Sequence, residues 1–184
     1  NLSPMATIAG ALSLCVANRG DNIIVGPGHA ESVSSAGFIT VATAGVTILG
    51  QGRGSLRPTL TWTATAGTIL HTVTTGANTT WKNFIFSLTG IDAVTVGLTC
   101  AAAGVTFEDC KFVTSTTAIV ALKGMSLAAT ANDFTMRRCL VKAGVTTANT
   151  TTFLEVVGTD GLVIEDCVMS GYFTTSLGAI SNTG

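Results

Sequence analysis

Apolar and polar positions alternate in short bursts along most of the chain, and three bursts are near-copies of one another. They are Phe107-Glu108-Asp109-Cys110-Lys111-Phe112, Met136-Arg137-Arg138-Cys139-Leu140-Val141 and Ile164-Glu165-Asp166-Cys167-Val168-Met169. Their cysteines fall 29 and 28 residues apart. Such a period marks a solenoid, in which each unit buries its apolar face against its neighbours. Trp81-Lys82-Asn83-Phe84-Ile85-Phe86 reads as a fourth copy and Ile48-Leu49-Gly50-Gln51 as a degraded fifth. The aligned positions Ile48, Trp81, Phe107, Met136 and Ile164 are expected to point inward. Between them run further β-like segments at residues 68–73, 94–98, 118–122 and 153–157. Each coil therefore offers at least two strands joined by Gly-, Thr- and Ser-rich corners. With parallel strands about 4.8 Å apart, some five to six coils would stack on the order of 25–30 Å tall.

The first element follows a different period. Ser3 is a plausible N-cap and Pro4 suits the first helical position, where its missing N–H costs nothing. Met5, Ile8, Ala9, Leu12, Cys15 and Val16 recur at helical spacing, and Asn18-Arg19-Gly20 supplies the stop. The strand Asn22-Ile23-Ile24-Val25 follows, closed by Gly26-Pro27-Gly28. The expected organisation is one all-β domain: a capping helix over residues 1–20 and a parallel β-helix over 21–184. Leu177-Gly178-Ala179-Ile180 reads as the start of a new coil. An open parallel edge is an aggregation hazard, so that end is expected to be covered by further chain or another subunit.

Composition narrows the class. The chain has 184 residues, of which 10% are charged, and its mean hydropathy is +0.56. The longest apolar stretches, 5–17 and 118–122, are too short to span a bilayer, and Lys123 follows the second. No basic n-region or A-x-A site marks a signal peptide. A net charge of −1 without a basic stripe gives phosphate-driven nucleic-acid binding no support. Five cysteines without C-x-x-C spacing indicate neither a disulfide framework nor a zinc site. Cys110, Cys139 and Cys167 are read as a core column of free thiols, suited to a reducing compartment such as a host cytoplasm.

The charged residues beside each cysteine are the main candidate chemistry. Stacking aligns Lys82, Glu108, Arg137 and Glu165 in one outward column. Asn83, Asp109, Arg138 and Asp166 align in the next. A catalytic reading takes Glu108, Asp109, Glu165 and Asp166 as acid and base for glycan cleavage. Those carboxylates would lie two strand steps apart, roughly 9.6 Å, with an arginine between them. An arginine there pairs with both and lowers their pKa values, which spoils a general acid. A structural ion-pair ladder is the favoured expectation, with no catalytic residue.

Other signals are thinner. Gly50-Gln51-Gly52-Arg53-Gly54-Ser55 resembles a phosphate-cradling loop, but β-like Thr59–Trp62 follows instead of a helix, so it reads as a corner. His29 and His71 show no Cys or carboxylate at ligand spacing, and no metal or cofactor is expected. The sequons at Asn78 and Asn149 carry meaning only with secretion. The stretch 142–152 is the longest regular insertion, a candidate surface for a glycan-binding adhesin.

The helix followed by Arg19-Gly20-Asp21-Asn22-Ile23-Ile24-Val25-Gly26-Pro27-Gly28-His29 resembles the opening of pectin-lyase-like right-handed parallel β-helices. Gly45-Val46-Thr47-Ile48-Leu49-Gly50-Gln51-Gly52-Arg53-Gly54-Ser55-Leu56-Arg57-Pro58-Thr59 is similar to a subgroup among virion proteins of tailed bacteriophages. The resemblance spans about residues 3 to 180. It implies a right-handed hand and a virion protein assembled in the bacterial host cytoplasm, commonly a homotrimer. Its partners would be other virion proteins such as the major capsid protein. Within the family, a capsid decoration protein and a tailspike that degrades or binds host surface glycan are alternatives. Enzymatic members carry clustered or calcium-binding carboxylates along a long groove. Here Arg137 and Arg138 interrupt the acidic pairs, which favours the structural, non-enzymatic alternative.

Overall fold

In the computed structural model, which describes residues 4–34, 38–63, 73–88, 95–114, 122–144 and 150–181, short strands follow one another in threes. The first level holds β1 (Asn22–Val25), β2 (Ala30–Val33) and β3 (Thr40–Val41); the second β4 (Thr47–Gly50), β5 (Thr59–Trp62) and β6 (Val73–Thr74). The third holds β7 (Thr80–Lys82), β8 (Ile85–Leu88) and β9 (Val96–Cys100); the fourth β10 (Thr106–Glu108), β11 (Lys111–Thr114) and β12 (Lys123–Leu127). The fifth holds β13 (Thr135–Arg137), β14 (Leu140–Lys142) and β15 (Thr152–Val157); the last β16 (Val163–Glu165), β17 (Val168–Ser170) and β18 (Ser176–Ser181). Each strand pairs in parallel with the one three places on, giving three six-stranded sheets around a single core. This is a parallel β-solenoid. No helix among the described residues is long and apolar enough to cross a membrane.

Strand alternation builds the core in columns. Ile23, Ile48, Trp81, Phe107, Met136 and Ile164 stack in register along the first sheet. Along the second, the column runs Glu31, Leu60, Phe86, Phe112, Val141, Met169. Trp81, Phe86 and Phe112 are fully buried. Phe86 stacks on Phe112 at 5.0 Å and meets Trp81 edge-on at 5.6 Å. Ile164 belongs to the same column but is 44% exposed, because β16 is the last strand of its sheet among the described residues.

The corners are set by backbone chirality. Asn18, Gly45, Asn78, Gly104, Asp133 and Gly161 all have positive φ at the turn into the first sheet. Glycine enters that left-handed region without a Cβ clash, and Asn or Asp tolerates it better than other residues. The N–H of each of the first five donates to a carbonyl of the following level, to Ala44, Ala77, Ala103, Asn132 and Asp160 in turn. At two of the three glycines the preceding Asx leaves no room for a side chain: a Cβ on Gly104 would lie 2.2 Å from Asn78 Oδ1 and one on Gly161 2.4 Å from Asp133 Oδ1, whereas one on Gly45 would meet Asn18 at an ordinary 3.4 Å.

Several expectations need correction. The N-terminal helix is the single turn α1 (Ile8–Leu12), capped by Thr7, whose hydroxyl accepts the Gly10 N–H at 3.0 Å. Pro4 and Met5 precede it, and Ser3 lies outside the described residues. Ile8 and Leu12 are buried, and Ala11 and Cys15 pack against the core only in part. Leu14 and Val16 are exposed, and Gly10 lowers the helix propensity. Of the run expected at 118–122 only residue 122 is described; β12 follows directly after it, with Met125 and Leu127 fully buried. Gly124 disguised it, since glycine is a poor strand former. The position demands glycine, because a Cβ would sit 2.6 Å from the Phe153 ring. Only residue 73 of the run expected at 68–73 is described. Finally, Leu177–Ile180 is part of β18, which pairs with β15 and completes the last level rather than opening a new one.

Candidate functional site

The charged columns sit where the first sheet turns into the second. Register places Lys82, Glu108, Arg137 and Glu165 side by side on successive strands. The next residues, Asn83, Asp109, Arg138 and Asp166, form a second left-handed corner with φ of 62°, 54°, 49° and 51°. The N–H groups of Asn83, Asp109 and Arg138 donate at 3.0 Å to the carbonyls of Glu108, Arg137 and Glu165, one level further on. Arg138 is the unusual member, since arginine has no intrinsic preference for this conformation.

Its guanidinium explains its presence. Arg138 Nε donates to Asp109 Oδ1 at 2.8 Å, and Nη2 donates to Glu108 Oε1. Lys82 Nζ approaches the same two carboxylates from the preceding level, at 3.1 Å from Glu108 and 3.9 Å from Asp109. Arg137 Nε donates to Glu165 at 2.9 Å. Glu108, Asp109 and Glu165 thus have cationic partners, while no ion pair involves Asp166 among the described residues. The hydrogen bond from Arg138 holds the Asp109 carboxyl below the ordinary carboxylate range, although burial pushes it the other way.

The sign of the resulting pH dependence follows from that depression. As pH falls, the unfolded chain takes up the Asp109 proton first. The ladder's contribution is therefore complete above the unfolded value of about 3.9 and is lost as pH drops through the folded one. Asp109→Asn keeps a residue tolerant of the corner and removes the titration. Thermal unfolding below about pH 5 is expected to show a shallower acid-induced fall in Tm for this variant than for the native chain. Equal slopes would refute the assignment.

The cysteine column does more than fill space. Cys110, Cys139 and Cys167 each follow a left-handed corner residue, and each thiol donates back to the preceding level. The acceptors are the carbonyls of Trp81 at 3.6 Å, Phe107 at 3.4 Å and Met136 at 3.5 Å. The Cys139 N–H donates to Cys167 Sγ at 3.4 Å. Burial, reinforced by the adjoining Cys139 thiol, raises the Cys110 pKa and keeps it protonated. Burial likewise pushes the Cys100 thiol up to about 11. All five cysteines are free. Cys110 and Cys139 are buried, whereas Cys167, in the last level described, is half-buried. The shared hydrogen bond with Cys110 shifts Cys139 the other way, lowering its pKa against the effect of burial.

Three features escaped the sequence reading. Arg57, in the corner after the 3-10 turn Gly54–Leu56, donates through Nη2 to the carbonyls of Phe84 (3.0 Å) and Asp109. It ties the glycine corner to the ladder, and nothing local in the sequence announces it. Glu31 is an inward-pointing acid at the top of an apolar column. One oxygen accepts the Ile8 N–H at 3.1 Å and lies 3.2 Å from His29 Nε2. This corrects the expectation that His29 lacks a nearby carboxylate, because residues two apart in an extended chain share a face. The alternation of Ala30-Glu31-Ser32-Val33 could have revealed it. The third is a smaller ladder in the third sheet. Burial would raise the Glu155 pKa, but Lys123 at 2.6 Å and the Ser126 hydroxyl at 2.9 Å hold it low.

His29 also borders a cleft of about 620 Å³ between α1 and β1, lined with Met5, Ile8, Leu14 and Ile24. His71, Asn149 and positions 145–149 of the 142–152 insertion lie outside the described residues. No cluster of three or more His, Cys, Asp or Glu suited to a metal ion occurs among the described residues.

The class of the protein is thus a parallel β-solenoid whose first corner is built on alternating Asx and Gly and whose second carries an ion-pair ladder. Comparison of the chain with protein-family models, curated proteins and solved structures finds no match.

Proposed function

We propose that this protein is a non-enzymatic structural component of a tailed-bacteriophage particle, serving as a decoration protein on the capsid surface. The observation that carries the non-enzymatic part is the neutralisation of Glu108, Asp109 and Glu165 by Lys82, Arg138 and Arg137. A general acid needs a raised pKa, and Asp109 is shifted the other way. Opposite charges on adjacent strands instead favour one register, and a slip of one level would place like charges side by side. The virion role and a homotrimeric state rest on the resemblance of the N-terminal coils to phage β-helix proteins. The apolar and Thr-rich exterior supports packing against sister subunits or a capsid lattice.

The test is the location and copy number of the protein on purified particles, read by immunogold labelling and quantitative mass spectrometry. Decoration of a symmetric shell requires copies on the order of hundreds, set by the symmetry. A handful of trimers at the tail would favour the tailspike alternative. Incubation with host capsule or lipopolysaccharide is expected to leave chain length unchanged. Shortening that disappears in Glu108→Gln or Glu165→Gln would overturn the non-enzymatic reading.

A further inference from the structure

Cys110, Cys139 and Cys167 stand in register on successive levels, because the residues on either side of them do. Glu108, Arg137 and Glu165 align before them, and Lys111, Leu140 and Val168 align after. The three side chains also share one orientation. Each thiol donates to the carbonyl two residues back, at 3.3, 3.4 and 3.3 Å. Each also meets the carbonyl of the inward residue one level earlier, at 3.6, 3.4 and 3.5 Å. The sulfurs therefore repeat at the interval of the strands, about 4.8 Å. Phe84 fills the same position one level before Cys110 and closes the column there. Cys110 and Cys139 are both buried with described levels before and after them, so their pairing does not depend on how the last level is covered.

That interval decides what two neighbouring thiols can share. A disulfide needs sulfurs about 2.05 Å apart and Cβ atoms about 3.8 Å apart, so it would draw two levels together against the pairing of three sheets. One metal ion between two thiolates spans about 4.6 Å, twice the roughly 2.3 Å of a metal–thiolate bond, and needs no such shift. Zinc takes four ligands, and no cluster of three or more candidate ligands occurs among the described residues. Thiolates without harder ligands select soft ions such as Cu(I). Two thiolates with one Cu(I) carry a single negative charge, and a cation is in place beside them. Arg57 Nη2 donates to the carbonyls of Phe84 and of Asp109, the residue before Cys110. Its Nε is buried and has no hydrogen-bond partner among the described residues.

We propose that the cysteine column is a Cu(I) site, with the ion held in line between the sulfurs of Cys110 and Cys139. Binding forms two Cu–S bonds and releases the two thiol protons to solvent, with no change in oxidation state. The ion rivets the fourth level to the fifth. Cys139 and Cys167 repeat the geometry and offer a second position. This inference goes beyond the virion assignment and does not rest on it.

Titration of the reduced full chain with Cu(I), in the absence of oxygen and against the chelator bicinchoninate, tests it. Far-UV circular dichroism confirms that each chain titrated is folded. Saturable binding is expected, together with a rise in Tm, since an ion bound by the folded chain stabilises it. Cys139→Ser retains a donor for the same carbonyls but breaks both intervals of the column, and is expected to lose binding. The Cys110→Ser/Cys167→Ser variant leaves Cys139 without a neighbouring thiol and is expected to lose it by an independent route. Cys15→Ser/Cys100→Ser, altered outside the column, is expected to keep both the binding and the rise in Tm. Absence of Cu(I) binding by the folded native chain, binding that survives in either column variant, or Zn(II) held as tightly as Cu(I) would each overturn the proposal.

Discussion

Phe86→Ala is expected to lower folding stability by about 3–5 kcal/mol, the range for truncating a fully buried aromatic side chain. Phe86 is completely buried in β8 and meets five other rings. Phe112 lies stacked at 5.0 Å, Trp81 and Phe107 contact it edge-on at 5.6 and 5.7 Å, and Phe84 and Trp62 stand near 6 Å. These rings come from the second, third and fourth levels, so the cavity would open where three levels are joined. Solenoid stability is approximately a sum of repeat and neighbour-interface terms. Loss of a central interface is therefore expected to broaden the unfolding transition as well as shift it. Urea titration followed by far-UV circular dichroism reads both effects. Val168→Ala, at the 61% exposed position in β17, is the comparison and should stay within about 0.5 kcal/mol of native. A Phe86→Ala loss below about 1 kcal/mol would show that the aromatic column does not join the levels.

Gly104→Ala is expected to lower folding stability by about 2–5 kcal/mol, from an αL penalty of roughly 1–2 added to overpacking of roughly 1–3. Gly104 has φ +68°, and the new Cβ would lie 2.2 Å from Asn78 Oδ1 in the level before. The obstacle is the Asn78 side chain, which would have to turn away from its place at its own left-handed corner. Asn78→Gly removes the obstacle and preserves the Asn78 N–H bond to Ala103. The Gly104→Ala/Asn78→Gly double variant should therefore be more stable than Gly104→Ala alone, leaving chiefly the backbone term. A double-mutant cycle measured by thermal unfolding gives the coupling directly. Additive effects would show that Asn78 is not what excludes a side chain at Gly104.

Much of this architecture was legible in the chain because a period of two residues within strands and one of 28 or 29 between coils both leave traces in side-chain type. The inward column from Ile48 to Met136 could be read straight from alignment of the repeats, since an aligned apolar position that alternates with polar ones has one face to occupy. The charged columns were legible for the same reason. The third strand of each level was harder. β12 is written Lys-Gly-Met-Ser-Leu, and its glycine, required by the Phe153 ring, erases the usual strand signal. The α1 boundaries were overread because helical spacing persists to Val16, while burial ends at Leu12.

The site was divided in the same way. Sequence placed the acids beside the arginines, but it could not say which arginine serves which acid. The left-handed corner decides that, because it turns Arg138 back toward Glu108 and Asp109 and leaves Arg137 for Glu165. Arg57 and Glu31 act on partners reached through the winding of the chain. Arg57 meets a carbonyl 52 residues away, beyond any local pattern.

The sequence by itself determined that the chain is a stacked β-solenoid, which residues form its columns and that its acids alternate with bases, because repetition converts spacing into position. Only the tertiary structure decided which charges are neutralised, which glycines are enforced by the level before, and that α1 covers the first level through Ile8 and Leu12. Those outcomes depend on contacts between levels, and such contacts exist only once the chain has wound back upon itself.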